Sequence, residues 1–122
     1  MARHNIIGEE GENLAVEYLV KLGYIIRDRN WRFSNVELDI IAQANNMLIF
    51  VEVKTRTTDF EEELIDKKKI NNLTRAANVY IHQYDLPHPV QFDLVVVMMG
   101  VDGEYEIEHI PDAFMPNLSS YR

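Results

Sequence analysis

Apolar residues recur along this chain with two different periods, and the switches between them mark the elements. Over residues 9–22, Leu14, Ala15, Tyr18, Leu19 and Leu22 fall on one side, while Glu10, Asn13, Glu17 and Lys21 fall on the other. That spacing predicts an amphipathic helix. Gly8 can open it, and Gly23 stands where a helix usually turns left-handed and stops. The pattern then changes to strands. Residues 24–33 read as a strand that is polar on one side, and residues 36–43 and 47–55 as two strands rich in Val, Ile, Leu and Phe. Between the last two, Asn45-Asn46 predicts a tight hairpin, because Asn tolerates left-handed backbone angles.

The second half repeats the logic. Thr58-Asp59-Phe60-Glu61 has the form of a capping box before a helix over residues 60–84, with Ile70, Leu73, Ala77, Tyr80 and Tyr84 as its apolar stripe. Pro87 and Pro89 end that segment and lead into a strand over 90–99. Asp102-Gly103 predicts a turn into a last strand over 104–110, and a tail follows Pro111 with one helical turn around 112–115. The order α-β-β-β-α-β-β predicts an α/β fold, a mixed β-sheet flanked by helices. With no repeat, linker or low-complexity stretch, residues 1–122 are expected to form a single domain.

Charged residues inside these apolar strands carry the candidate chemistry. Glu52-Val53-Lys54 follows Leu48-Ile49-Phe50-Val51, and a carboxylate and an ammonium there are costly unless they are paired or bind something. Alternation places Glu52 and Lys54 on one face, with Ile49, Val51 and Val53 on the other. In the strand before, Glu37 and Asp39 share a face opposite Leu38, Ile40 and Ala42. A two-residue turn at 45–46 pairs positions whose numbers sum to 91, which sets Asp39 against Glu52. Like charges across a ladder repel, and a divalent cation between them reverses the sign of that interaction. Glu12 shares its stripe with Ala15, Leu19 and Leu22, so a third carboxylate is expected to point at the sheet. Glu12, Asp39 and Glu52 offer hard oxygen ligands suited to Mg2+ or Mn2+. Lys54 beside them could orient a water or stabilise phosphoryl charge. The structural alternative pairs Glu52 with Lys54 or Arg56, and Asp39 with Arg29 or Arg32.

Composition narrows the classes. Twenty acidic against twelve basic residues give a net charge of −8, which excludes a protein that coats nucleic acid or membrane by bulk charge. The acidity is uneven: residues 1–56 hold seven Lys/Arg against eight Asp/Glu, a balance of −1, and residues 57–122 hold five against twelve, a balance of −7. Arg27, Arg29 and Arg32 lie interleaved with Trp31 and Phe33, a mixture that can contact phosphates and bases or form a solvated strand face. Cysteine is absent, which removes disulfides, zinc thiolates and cysteine nucleophiles. No apolar leader opens the chain, and the longest apolar run, residues 94–99, is far short of the ~20 residues of a membrane span, so a cytoplasmic protein is expected.

Read in order, Gly11-Glu12-Asn13-Leu14-Ala15, Tyr18-Leu19, Gly23-Tyr24, Arg29-Asn30-Trp31-Arg32, Glu37-Leu38-Asp39-Ile40-Ile41-Ala42 and Phe50-Val51-Glu52-Val53-Lys54-Thr55-Arg56 resemble the YraN-like family of uncharacterised bacterial proteins. That family is placed in the PD-(D/E)xK nuclease superfamily, near the Holliday-junction resolvases. The resemblance spans nearly the whole chain. It implies a restriction-endonuclease-like fold and a Mg2+- or Mn2+-dependent endonuclease acting on DNA, branched DNA included. Glu12, Asp39, Glu52 and Lys54 then occupy the superfamily's site positions, with the Val53 carbonyl a further metal ligand and a lysine matching Lys69 on the second helix. Arg29, Arg32, Arg56 and Lys69 are the corresponding candidate phosphate contacts. Relatives in the superfamily often dimerise, so a homodimer is a candidate state. This chain departs from the common pattern at Val36, Leu38, Ile70 and Gln91.

The remaining features point elsewhere or nowhere. Lys67 and Lys68 read as a solvated helix face following Glu61-Glu62-Glu63. His4, His82, His88 and His109 show no metal spacing and read as surface or capping residues, and Asp93 as a polar group at a strand end, with a carboxylate that supports the site from behind as the alternative. There is no Walker loop, dinucleotide fingerprint or nucleophile elbow. Two other function classes compete with the nuclease: a non-catalytic nucleic-acid-binding module on the same scaffold, and a protein-interaction domain that uses the acidic second half.

Overall fold

A computed structural model describes residues 3–57, 67–87 and 89–114 (the backbone alone at 3–6 and 67). In chain order the elements are α1 (Arg3–Lys21), β1 (Ile25–Phe33), β2 (Val36–Ala44), β3 (Met47–Thr57), α2 (Lys67–Gln83), β4 (Val90–Met99), a 3-10 turn at Val101–Gly103, and β5 (Tyr105–Ile110). The five strands form one sheet in the order β1-β2-β3-β4-β5. Only β3 and β4 are parallel, and α2 is the crossover that a parallel pair requires. The predicted α-β-β-β-α-β-β order and mixed sheet are therefore observed, and they are consistent with a restriction-endonuclease-like fold.

The two helices cover opposite faces. Leu19 and Ala15 of α1 pack with Ile40, Ala42, Ile49, Val51, Val95 and Val97, whereas Leu73, Ala77 and Tyr80 of α2 pack with Leu38, Ile41, Leu48, Phe50 and Phe92. At the end of α1, Tyr24 N–H donates to Leu19 C=O and Gly23 N–H to Val20 C=O, each at 3.0 Å. With φ of +98° at Gly23, this is the double hydrogen bond of a Schellman cap, as its position predicts. Asn45 and Asn46 both adopt positive φ, and Ala44 pairs with Met47. The tight hairpin is thus present, and its register sums to 91 as far as Ile40 opposite Val51.

Several expectations are corrected. Helix α1 begins at Arg3, so Gly8 lies inside it, and Leu22, just past its last residue, is 53% exposed rather than on the buried stripe. The helical turn expected around 112–115 is a plain turn at Pro111–Asp112 among the described residues. There Ala113 N–H donates to Phe92 C=O at 2.7 Å, and Phe114 tilts against the Phe92 ring. Tyr84, expected in the core stripe, is 43% exposed at the end of α2. The capping box and residues 60–66 of the expected helix lie outside the described residues.

The informative correction concerns β2. Simple alternation puts Leu38 and Ile40 on one face, yet Leu38 joins the α2-side core and Ile40 the α1-side core. The ladder between β1 and β2 passes from Arg29–Ile40 to Trp31–Leu38, and Asn30, opposite Asp39, holds a left-handed φ of +51°. Asp39 therefore sits where β2 rolls over. Its carboxylate, in place of a backbone carbonyl of β2, accepts the Val53 N–H at 2.9 Å. A strand that twists away from its neighbour opens the gap in which a site can form.

Candidate functional site

Four carboxylates from three elements meet at that opening. Glu12 reaches it from α1, Glu37 and Asp39 from β2, and Glu52 from β3. One carboxylate oxygen from each of Glu12, Glu37 and Asp39 lies within 4.8 Å of the others. Asn30 Nδ2 ties two of them together, donating to Glu12 Oε1 at 2.9 Å and to Glu37 Oε1 at 3.2 Å. Glu52 is 6% exposed, and its Oε1 is met by Lys69 Nζ at 2.9 Å and Lys54 Nζ at 3.9 Å.

Close helix packing brings Glu12 there. Gly11 is buried, and a Cβ on it would fall on Thr55 Oγ1 and lie 2.7 Å from Thr55 Cγ2 of β3. The missing side chain lets α1 approach the strand that carries Glu52 and Lys54. Ala normally stabilises a helix interior over Gly by ~1 kcal/mol. At Gly11 the sign should reverse: Gly11→Ala is expected to destabilise by about 1–3 kcal/mol through overpacking. Gly8→Ala, with nothing within 4 Å of the added Cβ, should stabilise. Paired thermal melts of the two variants check this, and equal shifts would refute the close-packing role.

The electrostatics show what this convergence costs. Burial pushes the Asp39 carboxyl up to about 8, with Glu52, Glu12 and Glu37 adding to the rise and the Val53 N–H opposing it. Glu12 is also raised, by burial first and by Glu37 and Glu52, against the Asn30 and Arg29 contacts. Lys54 is lowered by its own burial and then by Lys69 beside it. For Lys69 burial works downward and is the largest single influence, but Glu52, the contact with Lys54 and the charge of Asp39 together outweigh it, and the ammonium is held above its ordinary range. Pushing like-charged groups together in a half-dry site is costly, and groups perturbed in this way cluster at functional sites.

The ridge of carboxylates separates two open clefts that share Glu37. One, of about 460 Å³, is lined by Asn35, Asp39, Glu52, Lys68, Lys69 and Asn72 among others. The second, of about 680 Å³, is lined by Glu12, Asn13, Arg29, Asn30 and Arg32 among others. Of the structural alternative, the Glu52–Lys54 pair is present at 3.9 Å, whereas Asp39 is not paired with Arg29 or Arg32. Arg29 Nη2 lies 2.7 Å from Asn13 Oδ1 and 3.9 Å from Glu12, and Arg32 pairs with Glu37 at 2.8 Å. Arg56 donates to the Thr55 carbonyl at 3.0 Å, and its charge helps lower Lys54. Glu12, Asp39, Glu52, Lys54 and Lys69 are thus brought together around the Val53 peptide, with Arg29 and Arg32 at the rim. Glu37 is the member that reading for ligands left out, although its place on the Asp39 face was visible two residues away.

A second polar centre lies apart from these carboxylates. Asp93, read first as a strand-end group, is fully buried, and His109, read as a surface or capping residue, has a side chain 8% exposed. Asp93 accepts from His109 Nε2 at 2.7 Å, Gln91 Nε2 at 2.8 Å, and both Tyr24 Oη and the Asp112 N–H at 3.0 Å. Tyr18 Oη meets His109 Nδ1 at 3.2 Å. A similar logic anchors α2: Tyr80 Oη donates to Asp28 and accepts from Arg27 Nε, two consecutive residues that a bulge in β1 turns the same way.

Comparison with known proteins places the chain in a family. The sequence profile of the uncharacterised protein family UPF0102 matches residues 11–97. A UPF0102 protein of Bacteroides thetaiotaomicron is 46% identical over 121 residues, covering 97% of this chain and 99% of its own length. Counterparts from Parabacteroides distasonis and Flavobacterium psychrophilum are 45% and 44% identical over 117 residues, each covering 93% of this chain. Among the described residues, no helix is long and apolar enough to cross a membrane.

Proposed function

The chain belongs to the uncharacterised protein family UPF0102, the family its Arg-Asn-Trp-Arg and Phe-Val-Glu-Val-Lys-Thr-Arg blocks pointed to, and from its carboxylate site we propose that it is a divalent-metal-dependent endonuclease acting on DNA. The observation that carries this reading is the convergence of Glu12, Glu37, Asp39 and Glu52 where β2 rolls away from β3, with Lys54 alongside. Oxygen donors alone, close enough for three to share one ion, fit Mg2+ or Mn2+ and do not fit a soft metal. Bound there, such a cation supplies Lewis-acid stabilisation of charge on a phosphoryl oxygen.

The chain's own groups have distinct tasks. Asp39 and Glu52, with Glu12 and Glu37, hold the cation, and the Val53 carbonyl is the candidate further ligand. Lys54, its proton loosened by burial and by Lys69, orients the attacking water and can accept a proton from it. Asn13, Arg29 and Arg32 line the larger cleft as phosphate contacts. Because Arg29 and Arg32 also hold Glu12 and Glu37, substituting either disturbs the carboxylates as well as the groove.

Plasmid, flap and four-way-junction DNA incubated with the purified protein in Mg2+ or Mn2+ tests the reading, together with calorimetric metal titration between pH 6 and 9. Cleavage is expected, and it should be lost in Lys54→Ala. Asp39 keeps its proton up to about pH 8 in the metal-free protein, so metal uptake should release a proton at pH 7 and tighten as pH rises, levelling off above about 8. Absence of metal uptake, or cleavage that survives Lys54→Ala, refutes the proposal. Salt-sensitive DNA binding without cleavage in any metal identifies a binding module instead.

A further inference from the structure

We propose that Lys69 is the resident counter-cation of the Glu52 carboxylate: it is exchanged for the divalent cation on metal loading and released to a substrate phosphate, so that nucleic-acid capture is coupled to metal binding. This rests on the metal-dependent reading above and adds to it an order of events. Glu52 is 6% exposed, so water cannot balance its charge. Two ammonium groups meet the same oxygen, Lys69 Nζ at 2.9 Å and Lys54 Nζ at 3.9 Å. A divalent cation bound between Asp39 and Glu52 through that oxygen would compete with both ammonium groups for it, and like-charge repulsion favours the departure of one.

Burial and attachment decide which one. The Lys54 side chain is 19% exposed and rises from β3, inside the sheet. The Lys69 side chain is 42% exposed and stands in the first turn of α2, at the wall of the 460 Å³ cleft. Rotating its four-carbon stem carries the ammonium into the cleft without moving backbone. Among the described residues, the charged groups lining that cleft are Glu37, Asp39, Glu52, Lys68 and Lys69 itself. Once a cation holds the carboxylates, the released ammonium faces open space that suits a phosphate.

The exchange makes opposite predictions for two ligands. In the full-length protein, Lys69→Met should bind Mn2+ about tenfold more tightly than wild type in calorimetry without DNA, because the competitor is gone, whereas Lys69→Arg should bind no more tightly than wild type. Fluorescence anisotropy with a short duplex, in Ca2+ and in EDTA, reads the coupling. Addition of the cation should improve wild-type DNA affinity by at least about fivefold, within the usual range of coupling between sites, and by less than about twofold in Lys69→Met. A second measurement uses unmutated protein: the NMR signals of the Lys69 ammonium and its neighbouring methylene should shift on Mg2+ titration. Mn2+ uptake by wild type with equal or weaker uptake by Lys69→Met, or Lys69 signals unmoved by Mg2+, overturns the exchange while leaving the metal site standing. No metal uptake by wild type removes both.

Discussion

Asp39→Asn is expected to abolish Mn2+ uptake and to cut DNA cleavage by at least about a hundredfold, yet to raise the melting temperature of the metal-free protein at pH 8. The loss follows from removing the carboxylate shared by both parts of the cluster, where cation stabilisation is worth several kcal/mol and each ~1.4 kcal/mol is tenfold in rate. The gain follows from linkage. The Asp39 carboxyl titrates at about 8 in the folded chain against an ordinary value of 3.8. Between those values the unfolded chain has released a proton that the folded chain retains, so each rise in pH favours unfolding. The contribution is fully present below about pH 4 and is lost as pH climbs to about 8. Asn keeps an oxygen that can accept the Val53 N–H and carries no charge to bury. Thermal melts in EDTA from pH 4 to 9 should therefore show the two proteins alike at the acid end and the variant ahead at pH 8. Each kcal/mol moves such a midpoint by roughly 2–8 °C in domains of this size. Saturating Mn2+ should raise the wild-type midpoint and leave the variant unmoved. A variant no more stable than wild type at pH 8 would falsify the picture of a site strained by its own charge.

Asp93→Ala is expected to cost about 3–5 kcal/mol, a large share of the roughly 5–15 kcal/mol that holds a domain folded. The carboxylate has no exposure and accepts four hydrogen bonds, from Tyr24, Gln91, His109 and the Asp112 backbone. Through them it joins the end of α1, the start of β4, the end of β5 and the turn after it. Alanine leaves those donors buried without an acceptor. His109→Ala, which leaves Asp93 its other three donors, should cost less. Urea denaturation measures both, and a loss under 1 kcal/mol for Asp93→Ala would show that the network is incidental to the fold.

The two centres differ in how far they could be read from the chain. Glu12 was legible because helical spacing set a carboxylate in an apolar stripe, and Asp39 and Glu52 because an odd hairpin sum brought like charges together, although the observed ladder stops one pair short of them and Asp39 accepts the Val53 N–H instead. Both signals are local, within one helix or one two-residue turn. Asp93 and His109 carried no such signal. They are sixteen residues apart, and their partners Tyr18 and Tyr24 come from the far end of the chain. The face reversal in β2 was equally hidden, since alternation assumes regular extended backbone, and a left-handed Asn30 opposite Asp39 departs from it.

Local periodicity and turn chemistry alone therefore determined the elements, their order, the Asn45-Asn46 hairpin, the Gly23 cap, and the residue types from which a metal site could be built. Tertiary structure decided what those residues face. It added Glu37 to the carboxylates, set Lys69 of α2 on Glu52, spent Arg29 and Arg32 on Glu12 and Glu37, and buried His109 against Asp93. The physical reason is range. Helix and hairpin geometry fix side-chain direction over a few residues, whereas burial and charge pairing depend on which distant segments share the same few ångströms, and that is settled only when both helices close onto the sheet.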